Sequence, residues 1–336
     1  MKIVIMAGGQ GTRFWPRSVK RKPKQFLSLT SEETMLQQSY RRFAQWVPKA
    51  SIYILTTREY SATVKEQLPD LDLAQILLEP EPKDTGPCIA LSALHFMTKG
   101  ENEVLVTTPS DQYIPDDNRL WEALLQAEAV AENGHSIVTL GIVPTRPETG
   151  YGYIETEEPD SGGAVLAKAF IEKPPLDKAV QLFQQKNMYW NSGIFVWKPS
   201  TIAYYMTKFQ KEMWGLLSSC GGDWEKVYHR LPKISIDYAI LEKATTIYTI
   251  PVHFEWDDVG SWTSLERIFE KDSKGNIVMG DVSATYTENS IIYTEDHKTV
   301  VIGIKDVIIV STPDGLLVCH KSQEQQIKDV LKLLEY

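Results

Sequence analysis

Up to about residue 270, short apolar runs alternate with stretches whose apolar residues recur at helical spacing. Runs at residues 3–7, 52–56, 75–79, 104–107 and 137–142 have the length of strands. The first, Ile3-Val4-Ile5-Met6-Ala7, is apolar at every position, as a strand covered on both faces would be. Leu36, Tyr40, Phe43 and Val47 fall close to a helical period, and residues 89–98 read the same way. This alternation predicts a layered α/β fold with a mixed, mostly parallel sheet flanked by helices. Ligands of such folds sit at the carboxyl ends of strands. Gly8 to Arg13, Glu79 and Asp111 fall at such ends.

After Asp272-Ser273-Lys274-Gly275 the texture changes. Short β-rich runs at residues 290–293, 299–304, 307–311 and 316–320 are separated by turn clusters such as Thr312-Pro313-Asp314-Gly315. A closing helix is expected to carry Ile327, Val330, Leu331 and Leu334 on one face. The predicted division is a large domain over residues 1–272 and a small β-rich domain over 273–336. The even strand spacing suggests a β-solenoid, although no sequence repeat accompanies it.

Length and composition fit this picture and narrow the function. With 336 residues, 43% hydrophobic and 24% charged, the chain is globular in make-up and long enough for a sizeable core. A net charge of −9, with the basic residues clustered locally, argues against general nucleic-acid binding. No apolar run reaches bilayer length, and residues 1–7 are too short for a signal peptide. Cys88, Cys220 and Cys319 are widely spaced and form no C-x-x-C, which points to reduced thiols in a cytoplasmic protein.

The first strand runs into Gly8-Gly9-Gln10-Gly11-Thr12-Arg13, and Pro23-Lys24-Gln25 follows shortly. Glycines permit sharp turns and close ligand approach, and exposed N–H groups in such a loop form a concavity for phosphate oxygens. Arg13, Arg17, Lys20, Arg21, Lys22 and Lys24 crowd the same stretch, as a triphosphate would require. No Lys-Ser or Lys-Thr pair completes a P-loop, and Phe14 occupies the third glycine position of a dinucleotide fingerprint. A plain glycine turn with a solvated basic loop is the alternative reading.

Asp111 and Asp258 each follow a strand-like run, and two carboxylates suffice for Mg²⁺ that arrives with phosphate. Both could equally be turn or cap residues. Glu172-Lys173 precedes Pro174, and only a break at Lys173 would let both side chains converge. Gly150 lies in the glycine turn of residues 145–153, and Asn191 offers an amide able to bond two hydroxyls. A hairpin turn, a surface ion pair and a turn Asn are the ordinary alternatives. Scattered histidines and the lack of H-E-x-x-H or G-x-S-x-G leave little room for zinc or serine hydrolysis, and His95 reads as structural.

These blocks resemble the signature of the sugar-nucleotide pyrophosphorylases. The resemblance rests on Gly8 to Arg13 with Pro23-Lys24-Gln25-Phe26, and on Glu79-Pro80 with Asp84-Thr85-Gly86-Pro87. Pro109-Ser110-Asp111, Phe170 to Pro174, Asn191 to Phe195, Asp258-Val259-Gly260-Ser261-Trp262 and Thr312-Pro313-Asp314 extend it nearly end to end. Pro147-Glu148-Thr149-Gly150-Tyr151-Gly152-Tyr153-Ile154 points to the mannose-1-phosphate guanylyltransferase branch. Ser110, Gln112 and Gly86 depart from that branch's usual Ala, His and Ala.

The resemblance implies a Rossmann-like nucleotidyltransferase fold and transfer of GMP from GTP to α-D-mannose 1-phosphate. It implies that Gly8, Gly9, Gly11, Thr12 and Arg13 wrap the triphosphate, that Lys24 contacts phosphate, and that Asp111 and Asp258 hold Mg²⁺. Glu79 and Thr85 would lie near the base, and Gly150, Glu172, Lys173 and Asn191 would line the sugar-phosphate site. A homodimer through the β-rich region is expected, and isomerase activity is not. The alternatives are a glucose-1-phosphate enzyme using UTP or dTTP, or a silent subunit that senses nucleotide sugars.

Overall fold

A computed structural model describes residues 1–9, 11–158 and 163–334. The chain forms two compact units: residues 1–8, 39–110 and 114–256 in the first, and 9–38, 111–113 and 257–336 in the second.

The first unit is built on nine strands. They are β1 (Lys2–Met6), β2 (Ile52–Thr57), β3 (Ile76–Glu79), β4 (Leu105–Pro109), β5 (Ile137–Ile142), β6 (Tyr153–Thr156), β7 (Val165–Ile171), β8 (Met188–Trp197) and β9 (Ile247–Val252). Their order in the sheet is β3-β2-β1-β4-β8-β5-β9-β7-β6, with β8 also pairing β6. Pairing is parallel through β3-β2-β1-β4 and between β5 and β9. It is antiparallel where β8 meets β4, β5 and β6 and where β7 meets β6 and β9. All five apolar runs are strands, with ends shifted by a residue or two.

β1 lies inside the sheet between β2 and β4, and Ile3, Val4 and Ile5 are wholly buried, which is why that run carries no polar residue. Helix Thr85–Thr98 packs Ile89, Ala90, Ala93 and Phe96 into a core with Val4, Leu55, Leu105 and Trp197. His95 packs edge-on against Tyr53 and Phe96, and burial pulls its pKa down to about 4, the mark of a structural imidazole. β8 eludes sequence patterning because Asn191, Ser192 and Gly193 interrupt its apolar run. Gly193 has φ +71° and the β5–β8 register slips between Thr139 and Gly141, so the strand bulges at Asn191.

The second unit contains β10 (Ile277–Met279), β11 (Val282–Thr285), β12 (Ile291–Thr294), β13 (Thr299–Ile302), β14 (Val307–Thr312) and β15 (Gly315–His320). β10, β12 and β14 pair in parallel, which stacks Ile277 on Ile291 on Ile308, and β11 pairs with β13. This is the solenoid that the strand spacing suggests. β15 then folds back antiparallel on β14. Phe14, Leu27, Leu29 and Met35 share one core with the isoleucine stack, Trp262 and Leu317. Helix Ile327–Leu333 buries Ile327 and Leu331 there, whereas Val330 and Leu334, expected on the same packed face, are exposed. The buried stripe is the i, i+4 pair Ile327 and Leu331, and Leu334 falls just past the helix end.

Among the described residues no helix is long and apolar enough to cross a membrane. Ile291→Ala, at the middle of the stack, should lower the unfolding free energy by about 2–5 kcal/mol in urea titrations, the cost of an unfilled core cavity.

Candidate active site

In the second unit the glycine loop is fastened by the segment that follows it. Gln25 Nε2 donates to the Gly9 carbonyl at 2.9 Å, and the Ser18 hydroxyl donates to the Gly11 carbonyl. A Cβ on Gly11 would come within 2.9 Å of the Lys24 Cβ, so only glycine fits there. Thr12 is half-buried and Arg13 exposed, while Gln10 lies outside the described residues.

Lys24 is only 7% exposed. A buried ammonium requires charged or polar partners, and Lys24 has both. Its Nζ lies 2.9 Å from Asp111 Oδ2 and donates to the Asp258 carbonyl. Asp111 follows β4, as expected of a residue at a strand end. Two positions on, Tyr113 exchanges backbone hydrogen bonds of 2.9 and 3.1 Å with Asp257. The two candidate metal ligands therefore sit on adjoining backbone segments, tied by this bridge and by Lys24.

The neighbouring carboxylates Asp257 and Asp258 have separate uses. Asp257 is buried and accepts from Arg267 Nε and Nη2 at 2.5 and 2.9 Å and from the Val259 N–H at 2.8 Å. Val259 is held at φ +48°, a strained conformation for a β-branched residue. A Cβ on Gly260 would lie 2.8 Å from Asp258 Oδ2, so the glycine clears space for that carboxylate.

Two of the six clustered basic residues make contacts of their own within the second unit. Arg17 stacks over Tyr293 at 4.3 Å and donates to the Ser28 carbonyl at 3.1 Å. Arg21 grips both carboxylate oxygens of Asp314 at 2.8–3.0 Å. Local sequence could not reveal the Tyr293 and Asp314 contacts, because those partners lie at the far end of the chain.

In the first unit Glu79 ends β3 and is 4% exposed. The Tyr228 hydroxyl donates to its Oε1 at 2.5 Å, and a Cβ on Gly8 would sit 3.3 Å from its Oε2. Burial raises the Glu79 pKa to about 7, against the pull of the Tyr228 hydrogen bond, and nearby Asp84 adds to the rise. Thr85 opens its helix with Asp84 as cap, and its hydroxyl accepts from the Ile236 N–H at 2.8 Å. A Cβ on Gly86 would meet the Ile234 carbonyl oxygen at 2.7 Å. The close approach of residues 234–236 thus accounts for glycine where the resemblance leads one to expect alanine.

Glu172, Lys173 and Asn191 converge in the same unit. Lys173 has φ +41°, the break needed for its ammonium to reach back to Glu172 Oε1. A Cβ on Gly152 would press on Glu172 Oε2 at 2.7 Å and lie 3.5 Å from the Asn191 Cβ. Asn191 Nδ2 donates to Asp237 Oδ1 at 3.0 Å and its Oδ1 accepts from the Gly193 N–H at 3.0 Å. One donor and one lone pair of that amide are therefore committed within the protein. The N–H groups of Thr149 and Gly150 both donate to Glu148 Oε1 at 3.0 Å, and Arg146 pairs with the other Glu148 oxygen.

Asp237 escapes sequence reasoning. It opens a π-helical turn, Asp237–Leu241, a form enriched at functional sites but without a periodic signature. Burial, then the charge of Glu172, raises its pKa to about 6. Arg146 and Glu148 lie inside a block the sequence singles out, and their charges beside a glycine turn were the available signal.

Chemically, the second unit offers a buried ammonium held between the Asp111 carboxylate and the Asp258 backbone carbonyl, with the Asp258 carboxylate on the same segment. Among the described residues no group of three or more His, Cys, Asp and Glu is arranged as a metal cage. Two carboxylates without a cage suit a divalent ion that shares its shell with phosphate oxygens and waters.

Family models describe most of the chain. Residues 2–275 match the nucleotidyl transferase model and residues 280–334 the MannoseP isomerase/GMP-like beta-helix domain. The chain belongs to the nucleotidyl transferase family. This nucleotidyltransferase is 36% identical to mannose-1-phosphate guanylyltransferase RfbM of Salmonella typhimurium, over 99% of its own length and 72% of that relative. It is equally 36% identical to xanthan biosynthesis protein XanB of Xanthomonas campestris pv. campestris, over 99% and 73% of the two chains. A crystal structure from Thermus thermophilus, described as a mannose-1-phosphate geranyltransferase, superposes with a TM-score of 0.90. It is 34% identical and covers 100% of this chain and 99% of its own. Nucleotidyltransferases of this family generally use a divalent metal, and nucleoside triphosphates and sugar phosphates fit them as substrates.

The Glu79 environment makes stability depend on pH. Because the fold favours the neutral carboxyl, its contribution is complete below the ordinary value of 4.5 and is lost as pH rises through about 7. Urea unfolding between pH 4.5 and 7.5 should show this decline in the wild type and a flatter profile in Glu79→Gln.

Proposed function

We propose that the enzyme transfers GMP from GTP to α-D-mannose 1-phosphate, yielding GDP-mannose and pyrophosphate. The observation that carries this reading is the Lys24 ammonium fixed against Asp111 and the Asp258 backbone in a nucleotidyl transferase. The relative named mannose-1-phosphate guanylyltransferase supports the choice of sugar and base.

The attacking group is a sugar-phosphate oxygen, already anionic at neutral pH, so no general base is needed. That oxygen bonds to the α-phosphorus in line as the bond from this phosphorus to the bridging oxygen of pyrophosphate breaks. The difficulty is to bring two anions together and to stabilise charge that spreads over the phosphorus. Lys24 and Arg13 are assigned to the phosphates, and the N–H groups of the Gly8, Gly9, Gly11 and Thr12 loop to their oxygens. Asp111 and Asp258 would hold Mg²⁺, which when bound neutralises phosphate charge and polarises the α-phosphate. Glu79 is assigned to guanine, whose N1–H and amino group are donors suited to a carboxylate, and Thr85 is assigned to the same base. Gly150, Glu172, Lys173 and Asn191 are assigned to the mannose phosphate, with Asp237 orienting the Asn191 amide.

Residues 1–272 are assigned to catalysis, and residues 273–336 to a homodimer contact through exposed Val330, Leu333 and Leu334. A cytoplasmic setting accords with three cysteines outside any disulfide.

Asp111→Asn should depress turnover by roughly 10²–10³-fold, in line with loss of a charge-stabilising group, and should also lower Tm because the buried Lys24 ammonium loses its charged partner. Near-normal turnover would remove Asp111 from the metal assignment. Pyrophosphate release measured for GTP, UTP, dTTP and ATP against mannose and glucose 1-phosphates should be fastest with GTP and mannose 1-phosphate. Preference for another pair would replace the proposed substrates.

A further inference from the structure

Residues 14–21 of the basic loop are anchored on the β14–β15 hairpin and on elements packed with it, all within the second unit. The Phe14 ring lies 5.1 Å from Trp262, and Trp262 Nε1 donates to the Trp15 carbonyl at 3.3 Å. Gly315, at φ +152°, is the last residue of the hairpin turn, and a Cβ there would come within 2.8 Å of the Trp15 ring. The turn therefore needs glycine both for its backbone and to seat this indole. Next to it, Asp314 holds Arg21 in a bidentate grip across a sequence separation of 293. Arg17 stacks on Tyr293 of β12.

The ends of this anchored stretch are Gly11 to Arg13 on one side and Lys24 on the other, the residues assigned above to phosphate. A loop of this length loses considerable conformational freedom when it closes on a ligand. Anchoring its middle removes part of that loss before the ligand arrives.

We infer that the turn at residues 312–315 is a positioning element for nucleotide binding. By seating Trp15 and gripping Arg21, it holds residues 11–24 in the conformation that receives the triphosphate. Asp314 and Gly315 touch no substrate and act through the loop. The ligand named here rests on the reading above, whereas the ordering of the loop does not.

The test compares wild type, Asp314→Ala, Asp314→Glu, Arg21→Ala and the Arg21→Ala/Asp314→Ala double variant. Without ligand, tryptic cleavage within residues 13–24 should speed up severalfold in Asp314→Ala and return towards wild type in Asp314→Glu. In turnover, Asp314→Ala should raise KM for GTP about threefold, with kcat and KM for mannose 1-phosphate unchanged. Once Arg21 is alanine, removing Asp314 should have no further effect. Unchanged cleavage and KM in Asp314→Ala would overturn the inference. So would a uniform loss across all kinetic constants accompanied by a lower Tm. A wild type that turned over no GTP would overturn the guanylyltransferase reading, and the cleavage rates would still decide the positioning role.

Discussion

The buried ammonium of Lys24 is the constraint around which the second unit is arranged. A cation at 7% exposure is tolerated only with its charge and donors matched, and two stretches distant in sequence do so: Asp111 supplies the charge and the carbonyl of residue 258 accepts a further hydrogen bond. Fixing those stretches requires the Tyr113–Asp257 bridge, the Arg267 grip on Asp257 and the strained Val259. Gly11 must lack a side chain because the Lys24 stem passes beneath it. The loop, the strand exit and the turn at 257–260 are thus mutually dependent through one side chain.

The first unit follows a different logic. Its polar groups of interest are set into an otherwise apolar sheet and helix layer, where burial controls their protonation. Glu79 and Asp237 are both pushed towards neutrality by desolvation, the first with an adjoining phenol and the second with an adjoining carboxylate. Carboxyls poised near neutral pH can donate or accept hydrogen bonds as a ligand demands, which neither would do on an open surface.

What the sequence reveals and what it conceals divide along the range of the interactions. β1, β5 and the solenoid strands β12 to β15 are legible because their apolar pattern is local, whereas the short β10 and β11 are not, and Asp111 is legible as the polar residue past β4. The break at Lys173 is legible from Pro174 and appears as a positive φ. Strand β8 is not, since its bulge at Asn191 to Gly193 erases the pattern that defines a strand. The fates of Arg17 and Arg21 are not legible either, because six clustered cations look alike until partners such as Tyr293 and Asp314 arrive from elsewhere. Asp237 becomes visible only when the Asn191 amide is seen to donate to it.

The shared core of Phe14, Leu27, Leu29 and Met35 with Ile277, Ile291, Ile308 and Leu331 bears on how the chain is made. On the ribosome the earliest of these residues emerge long before the latest. Until Val259, Trp262, Leu265 and then the solenoid strands appear, Phe14 and its neighbours lack most of the apolar surface they pack on. The nascent chain must therefore carry an unsatisfied hydrophobic segment near its start through most of synthesis. Closing that core is a contact of very long sequence separation, the kind that folds slowly and leaves apolar residues open to wrong partners meanwhile. Assembly of the loop is thus tied to completion of the polypeptide, and a chain released early would lack the means to order it.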